Sequence, residues 1–434
     1  MIKVSKFGGS SVASSSQFKK VKDIILTDKT RKVVVTSAIG KINRVDNKIT
    51  DLLYLLFAHV KYGVDYEPIL SKIKERFYNI KNELNLSLDL DSEFNKIICN
   101  LKNSSEDYLV SRGEYLTSML LAEYLGYKFI DSKDVIIFEY NGHLDYERTS
   151  TLIKEKCLEN EKVVIPGFYG SYPNGDIKTF SRGGSDITGA IVAKAIDAIE
   201  YENFTDVSGI LMADPKIVDN PKKIKEITYD ELRELSYMGA SIIHEETVLP
   251  IEDSNIPLHI LNTNEPDNPG TIIKNKAFDT SQIITGIAGK KGFIAITIVK
   301  NKIADKLTII NDVLNILKRY HVTIEHIPTS IDSFSVIIDE KIINNKVYDI
   351  ISEIKRNPDI ISVQLDHDLA LLAVVGRNMV LKPGISGKIF QILGKENINI
   401  KMIAQGTNEI NIIVGVKSAD FEKAIRTLYQ NLIN

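Results

Sequence analysis

The run Lys32-Val33-Val34-Val35-Thr36-Ser37-Ala38 constrains the fold more than any other stretch: it is apolar, of strand length, and ends in small polar groups. A strand with no polar face belongs inside a parallel sheet covered by helices on both sides. The first two-thirds of the chain keeps to this pattern. Strands expected at 128–131, 163–168, 203–207 and 258–261 alternate with helices near 146–157, 185–199, 228–238 and 242–250. Residues 64 to about 125 read as helices, with Ile69, Ile73, Phe77 and Ile80 on one face. The expected fold is α/β, a doubly wound and mostly parallel sheet, in which ligands sit at the carboxyl ends of strands.

One such end lies at the N-terminus. In Lys3-Val4-Ser5-Lys6-Phe7-Gly8-Gly9-Ser10-Ser11-Val12 a short alternating strand runs into two glycines and two serines. Phe18, Val21, Ile24 and Ile25 then take up helical spacing. Glycines let backbone approach an anion, amides at a helix start point toward it, and Lys6 adds a full charge, which together make a phosphate cradle. The alternative is an ordinary strand-to-helix turn.

A second cluster, Ser181-Arg182-Gly183-Gly184-Ser185-Asp186, precedes the helix expected from 185. The planar fork of Arg182 suits a carboxylate or phosphate, and Ser185 and Asp186 read as helix caps. Arg112-Gly113-Glu114 reads as the opening of a helix, where Glu114 either meets an ammonium group or simply complements the helix dipole. Thr205-Asp206-Val207-Ser208-Gly209 ends a strand with groups suited to ribose or phosphate, or to an Asx turn. Asp214-Pro215-Lys216 sets a cation in a rigid loop, and His244 reads as a core histidine.

Composition removes other classes. A 434-residue chain with net charge −3 gives no reason to expect nucleic acid or an anionic membrane as partner. Two cysteines without CxxC spacing indicate neither a disulfide framework nor a zinc site. No apolar run reaches membrane-span length and the first 30 residues hold no signal-peptide core, so a cytoplasmic protein is expected. There is no GxxxxGK[ST], HExxH or nucleophile-elbow pattern.

Beyond about Ser281 a repeat begins. His321-Val322-Thr323-Ile324-Glu325-His326-Ile327 recurs 76 residues later as Asn397-Ile398-Asn399-Ile400-Lys401-Met402-Ile403, and Phe334-Ser335-Val336-Ile337 recurs as Ile410-Asn411-Ile412-Ile413. Each copy reads as a ferredoxin-like βαββαβ unit with one strand shared, of the kind that binds a regulator or a partner chain.

Taken together, Lys6 to Ala13, Arg112-Gly113-Glu114, Phe180 to Asp186, Thr205-Asp206, Gly239-Ala240 with His244, Asn262-Thr263 and Pro269-Gly270-Thr271 closely resemble the aspartate kinase family. The repeats resemble its paired ACT domains, and the length is that of the monofunctional form. The resemblance implies an amino-acid kinase domain over 1–280 and ACT units over 281–368 and 369–434, with strands that interleave. It implies transfer of the ATP γ-phosphoryl group, with Mg2+, to the β-carboxylate of L-aspartate, giving 4-phospho-L-aspartate on the route to lysine, threonine and methionine. By family position Lys6 and the backbone of Gly8, Gly9 and Ser10 hold phosphates, and Thr205, Asp206, Leu211, Lys216 and Ser241 serve the nucleotide. Arg182 clamps a substrate carboxylate with Ser185 assisting, Glu114 meets the substrate amino group, Thr50 and Ser37 also stand at the substrate, and Asp186 orients the lysine and the Mg-bearing phosphates. No protein metal ligands are implied.

The chain departs from the family at Ser241, where lysine is frequent, at Lys216, where arginine is common, and at Leu211, where tyrosine is. The same resemblance implies an end-product effector, lysine ahead of threonine, met by Thr323, Ile324, Glu325, Thr329 and Ser330. It also implies a homodimer through the ACT units, with a dimer of dimers as the larger assembly. Acetylglutamate and glutamate 5-kinases share the cradle and the acyl-phosphate chemistry, but are not expected to combine these motifs with tandem ACT units. A non-catalytic amino-acid sensor on the same fold draws its support from Ser241.

Overall fold

The structure is a computed structural model that describes residues 1–434 except 44, 182, 241–246, 248, 277–282, 302–304, 380–381, 407–409 and 434, and omits the side chains of Leu158 and Asn344. Two compact units form: one from residues 1–210, 225–229 and 242–277, the other from 211–224, 230–241 and 278–434.

The first unit is built on an eight-stranded sheet. From one edge its strands are Glu226–Thr228, Thr271–Lys274, Leu258–Asn262, Glu200–Thr205, Lys3–Phe7, Arg31–Thr36, Val163–Pro166 and Lys128–Phe129. Every neighbouring pair is parallel except Leu258–Asn262 with Thr271–Lys274. Val33, Val34 and Val35 are wholly or almost wholly buried, as their apolar run requires. The strand Lys3–Phe7 is central, with Arg31–Thr36 on one side and Glu200–Thr205 on the other. The chain order reverses there, so the glycine turn after Phe7 opens at the topological switch point.

One face of this sheet is covered by helices Ser15–Thr27, Ile49–Tyr62, Glu67–Glu83, Leu90–Asn100 and Glu106–Leu125, whose apolar residues join one core with Phe7, Val34 and Phe204. Helix Glu67–Glu83 buries Leu70, Ile73, Phe77 and Ile80. At about 1.5–3 kcal/mol per buried side chain, these four outweigh any surface ion pair the helix makes, worth about 0–1 kcal/mol.

The strand expected at 203–207 instead spans Glu200–Thr205. Its acidic residues, Glu202 buried and Glu200 half-buried, are tolerated because other strands of the sheet supply cations. Arg31 grips Glu202 through Nε and Nη2 at 2.8 and 2.9 Å, and Lys3 Nζ lies 2.6 Å from Glu200. The helix expected at 185–199 stops at Ala195, where Asp197 turns left-handed at φ 50° and Ala198 N–H returns to the Ala193 carbonyl.

The second unit carries a five-stranded sheet in the order Ser333–Asp339, Gly286–Lys300, Ile360–Val375, Asn411–Lys417, Met402–Ala404, all pairs antiparallel. The two longest strands belong to both halves. Residues 286–291 pair with 370–375 and residues 295–300 with 360–366, the register shifting around Gly292 at φ 92°. Helices Lys306–Arg319 and Val347–Ile354 seal Ile294, Ile296 and Ile298.

The repeated segment 321–327 pairs through a bridge from His326 to Ile337, and its second copy forms a strand at Met402–Ala404. The repeat begins as a helix stop. His321 and Asn397 sit at φ 55° and 56°, and the next amides, Val322 and Ile398, return to the carbonyls of Leu317 and Leu393 at 3.0 Å.

His259, on strand Leu258–Asn262, has an acceptor on each side: Glu200 Oε1 lies 2.9 Å from Nδ1 and the Pro269 carbonyl 2.7 Å from Nε2. Only the imidazolium donates to both. Burial opposes its charge, but the bonds to Glu200 and Pro269 and the charge of Glu202 outweigh that and raise its pKa above the ordinary 6.5. The stability this contributes is complete below pH 6.5 and is lost as pH rises through the raised value. Melting temperature of the wild type should therefore fall between about pH 6 and 9 more steeply than that of His259→Gln, and parallel pH profiles would refute the assignment.

Candidate active site

Three side chains from three elements meet beneath the glycine turn. Lys6, buried on the central strand, places Nζ 2.5 Å from Asp186 Oδ1 and 3.3 Å from Asn203 Oδ1, and Asn203 Nδ2 donates to the same Asp186 oxygen at 2.8 Å. Asp186 enters from the first turn of helix Gly184–Ala195, and Asn203 lies directly opposite Lys6 in the parallel register. The geometry corrects the capping expectation. Gly183 at φ 58° takes the cap position with no side-chain cap, Ser185 is buried, and Asp186 is committed to Lys6.

The turn itself is held by backbone. The Gly8 N–H donates to the Phe204 carbonyl at 3.0 Å, so of the three amides expected to face phosphate this one is taken by the sheet. Gly9 opens a short helical turn, Gly9–Val12, whose first amides have no intrahelical acceptor. Gly9 lies flat against Gly40: a Cβ on Gly40 would stand 2.4 Å from the Gly9 carbonyl carbon. Ser37 N–H donates to Phe7 O at 3.0 Å, so the end of Arg31–Thr36 is drawn beside the turn. Thr50 is the second residue of helix Ile49–Tyr62, half-buried, and Ile49 N–H is bonded to Ile39 O at 3.1 Å.

Arg112-Gly113-Glu114 does not open a helix; it lies well inside Glu106–Leu125, which Ser105 caps. The dipole reading of Glu114 therefore falls. Gly113 is where this helix meets the loop after Thr36, since a Cβ there would come within 2.9 Å of Ala38 Cβ. Glu114 is buried beside it, and its Oε2 has no hydrogen-bond partner among the described residues. Burial pushes its carboxyl up to about 8, although the Ala38 amide and the Arg112 charge pull the other way. Arg112 is itself buried, with its guanidinium 4.4 to 5.4 Å from the rings of Tyr108, Tyr115 and Tyr169.

On the far side of the central strand, Thr205 Oγ1 donates to the exposed carboxylate of Asp206 at 3.2 Å, an i to i+1 contact. Ser11 and Thr263 share a hydroxyl contact at 2.7 Å, and Asn262 donates to Ser208 at 2.7 Å. Leu211 and Lys216 belong to the second unit, where Lys216 is exposed and its amide caps onto Asp214. Arg182, Ser241 and His244 lie outside the described residues.

Among the effector candidates, Thr329 and Ser330 line a cavity of about 360 Å³ in the second unit, together with Thr297, Asp366 and Lys401. Thr323, Ile324 and Glu325 do not line it, and the Glu325 carboxylate accepts from the Tyr237 hydroxyl. Asn203, Asp366 and Lys401 were not singled out in the sequence. Asn203 had a signal, being the amide side chain inside an otherwise buried strand. Among the described residues no three His, Cys, Asp or Glu side chains group as a metal site, and no helix is long and apolar enough to cross a membrane.

A buried lysine at a sheet switch point, beside a glycine turn and a buried carboxyl with one oxygen unsatisfied among the described residues, is an arrangement for an anionic phosphate and an ammonium-bearing molecule. The model of the Amino acid kinase family matches residues 1–262, and that of an ACT domain matches 372–432. Aspartokinase 3 of Bacillus subtilis is 36% identical, covering 99% of this chain and 98% of its own. The crystal structure of Clostridium acetobutylicum aspartate kinase, described as an allosteric enzyme, is 48% identical over 99% of both chains, with a TM-score of 0.93. Escherichia coli aspartokinase III is 27% identical over 100% of both chains. Its TM-score is 0.77 in complex with aspartate and ADP and 0.78 in complex with lysine and aspartate. The chain belongs to the aspartate kinase family within the amino acid kinases, and is an ATP-dependent phosphotransferase with a carboxyl acceptor.

With a carboxyl raised from the ordinary 4.5 to about 8, the folded state holds a proton on Glu114 that the unfolded chain has released. Its contribution to stability therefore falls as pH rises from 4.5 to about 8. Glu114→Gln should raise the melting temperature at pH 8 and flatten its decline above pH 5; a variant less stable at pH 8 would show that the carboxylate is paired.

Proposed function

We propose that this chain transfers the γ-phosphoryl group of MgATP to the β-carboxylate of L-aspartate, giving 4-phospho-L-aspartate for lysine, threonine and methionine synthesis. The observation that carries the reading is the buried amine of Lys6 held by Asp186 and Asn203 under the glycine turn. The acceptor is already an anion, so no general base is needed. The barrier lies in bringing two anions into line and in the charge of the transferring group. Lys6 faces that charge from a dry site, where a fixed cation acts strongly. The amides of Gly9 and Ser10 hold phosphate oxygens, and Thr205, Asp206, Leu211, Lys216 and Ser241 serve the nucleotide.

Glu114 takes the substrate ammonium, which supplies the missing partner of Oε2. Arg182, Ser37, Thr50 and Ser185 hold its carboxylates. Asp186 is positioned to orient Lys6 and the magnesium-bearing phosphates, a fitting role because Mg2+ takes one or two carboxylates along with substrate phosphates. Bound Mg2+ would neutralise charge on those phosphates.

The regulatory part of the proposal assigns residues 1–280 to catalysis and 281–368 and 369–434 to two ACT units that join two copies of the chain, with a dimer of dimers as the larger assembly. Lysine is the effector, received by Glu325 together with Thr323, Ile324, Thr329 and Ser330. The polar cavity next to Thr329 and Ser330 supports a small amino acid there.

Aspartyl hydroxamate formation with MgATP tests the reaction and, with lysine or threonine added, names the effector. Inactivity under every condition would favour the sensor reading and turn attention to Ser241. Lys6→Ala should lower kcat by about 10²–10³-fold in a chain that remains folded by circular dichroism; turnover near wild type sinks the cradle. Glu114→Gln should raise KM for L-aspartate about tenfold or more through loss of a charge-assisted bond. Glu325→Ala should weaken lysine inhibition at unchanged basal rate, and unaltered inhibition would move the effector elsewhere.

A further inference from the structure

We propose that Arg76, on helix Glu67–Glu83, is a positioning residue for phosphoryl transfer, because one guanidinium clamps the phosphate turn to the loop that leads into Thr50. This rests on the kinase reading of the Lys6 turn. Arg76 is close to buried, its side chain 11% exposed, and its donors reach two chain segments. Nη1 meets Asp46 Oδ2 at 2.5 Å and the Asn47 carbonyl at 3.3 Å. Nη2 meets the Gly40 carbonyl at 2.8 Å and the Ala13 carbonyl at 3.3 Å. A planar fork with five N–H groups fits this set of acceptors, and a lysine would not.

What the clamp holds is the cradle itself. Ala13 ends the turn that begins at Gly9, and Gly40 N–H donates to Gly9 O at 2.9 Å. The contact is close enough that a Cβ on Gly40 would lie 2.7 Å from Ser10 N. Fixing Gly40 therefore fixes the direction of the Gly9 and Ser10 amides. Further along the same loop, Asp46 is built to receive the guanidinium: it accepts from the amides of Ile42 and Asn47, both at 2.9 Å, and lies 16% exposed. Thr50 follows four residues later. The helix that carries Arg76 is anchored without it by Leu70, Ile73, Phe77 and Ile80. Its cationic contacts all point toward the turn and the loop.

The full-length chain tests this with Arg76→Ala, Arg76→Lys and Asp46→Asn, read by steady-state hydroxamate kinetics, by affinity for the nucleotide analogue AMP-PNP with Mg2+, and by melting temperature. A misplacement of about 1 Å is worth up to about 10²-fold in rate. Arg76→Ala should accordingly lose tenfold or more in kcat/KM for MgATP, bind AMP-PNP more weakly, and recover activity in millimolar guanidinium chloride. Neither wild type nor Arg76→Lys should gain from guanidinium, and Arg76→Lys should fall between the other two. Arg76→Ala with kcat, KM and AMP-PNP affinity within about twofold of wild type would overturn the proposal. So would a loss that tracks melting temperature alone and is not rescued. Wild-type inactivity toward aspartate would count against the aspartate reading, and AMP-PNP affinity would then decide the role of Arg76.

Discussion

The contact between Lys6 and Asp186 is the constraint around which the first unit is arranged. A buried ammonium left without a partner costs several kcal/mol, so the central strand can carry a lysine only if another element delivers a carboxylate to it. That element is helix Gly184–Ala195, entered through a left-handed glycine that sets Asp186 on its first turn. Asn203 completes the arrangement from the neighbouring strand, bonded to both members of the pair. The same low-dielectric surroundings that require the pair make the amine effective against an incoming anion. The pair also stands at the carboxyl end of the strand where the sheet's winding reverses, the one place where a bound molecule reaches loops from both sides.

Around that pair the site is assembled by close approach of backbone. The Gly9–Gly40 contact leaves no space for a side chain, and Gly113 lets a long helix lie against Ala38 so that Glu114 enters a buried position. Burial then does the electrostatic work at Glu114: taken out of water, and with no partner for Oε2 among the described residues, the carboxyl resists ionisation. A group held in this way is costly to the free protein and is relieved by a ligand cation, which places stability and function in opposition at one residue.

The second unit solves a different problem. Its two halves are repeats, yet they do not form separate sheets, because the strands Gly286–Lys300 and Ile360–Val375 are long enough to serve both. Within this unit Glu231 is completely buried and is satisfied by the Arg377 guanidinium at 2.6 Å, the Arg377 amide at 3.0 Å and the Thr285 hydroxyl at 2.5 Å. Three donors on one carboxylate make a buried charge tolerable.

The alternating strands and helices, the glycine turn after Lys6 and the repeated units were all readable from the residues, because they rest on local periodicity and on residue types with one strong conformational preference. Errors came where long-range partners override local pattern. Glu200 and Glu202 lie inside a strand because Lys3, Arg31 and His259 meet them, and nothing in residues 200–205 alone announces that. Arg112 to Glu114 read as a helix start because charged residues favour exposed termini, whereas the fold buries them in mid-helix among tyrosines and Ala38. His321 and Asn397 open the two copies of the repeat, and it is the structure that makes them helix stops. Sequence by itself determined which residues carry charge, where glycines permit the chain to turn, and what is apolar enough to be buried. Tertiary structure alone decided that Asp186 and Asn203 face Lys6, that Glu114 is buried with no partner for Oε2 among the described residues, and that Arg76 ties two distant loops together. A pairing depends on the distance between atoms brought together by packing, and that distance is a property of the whole core rather than of any segment.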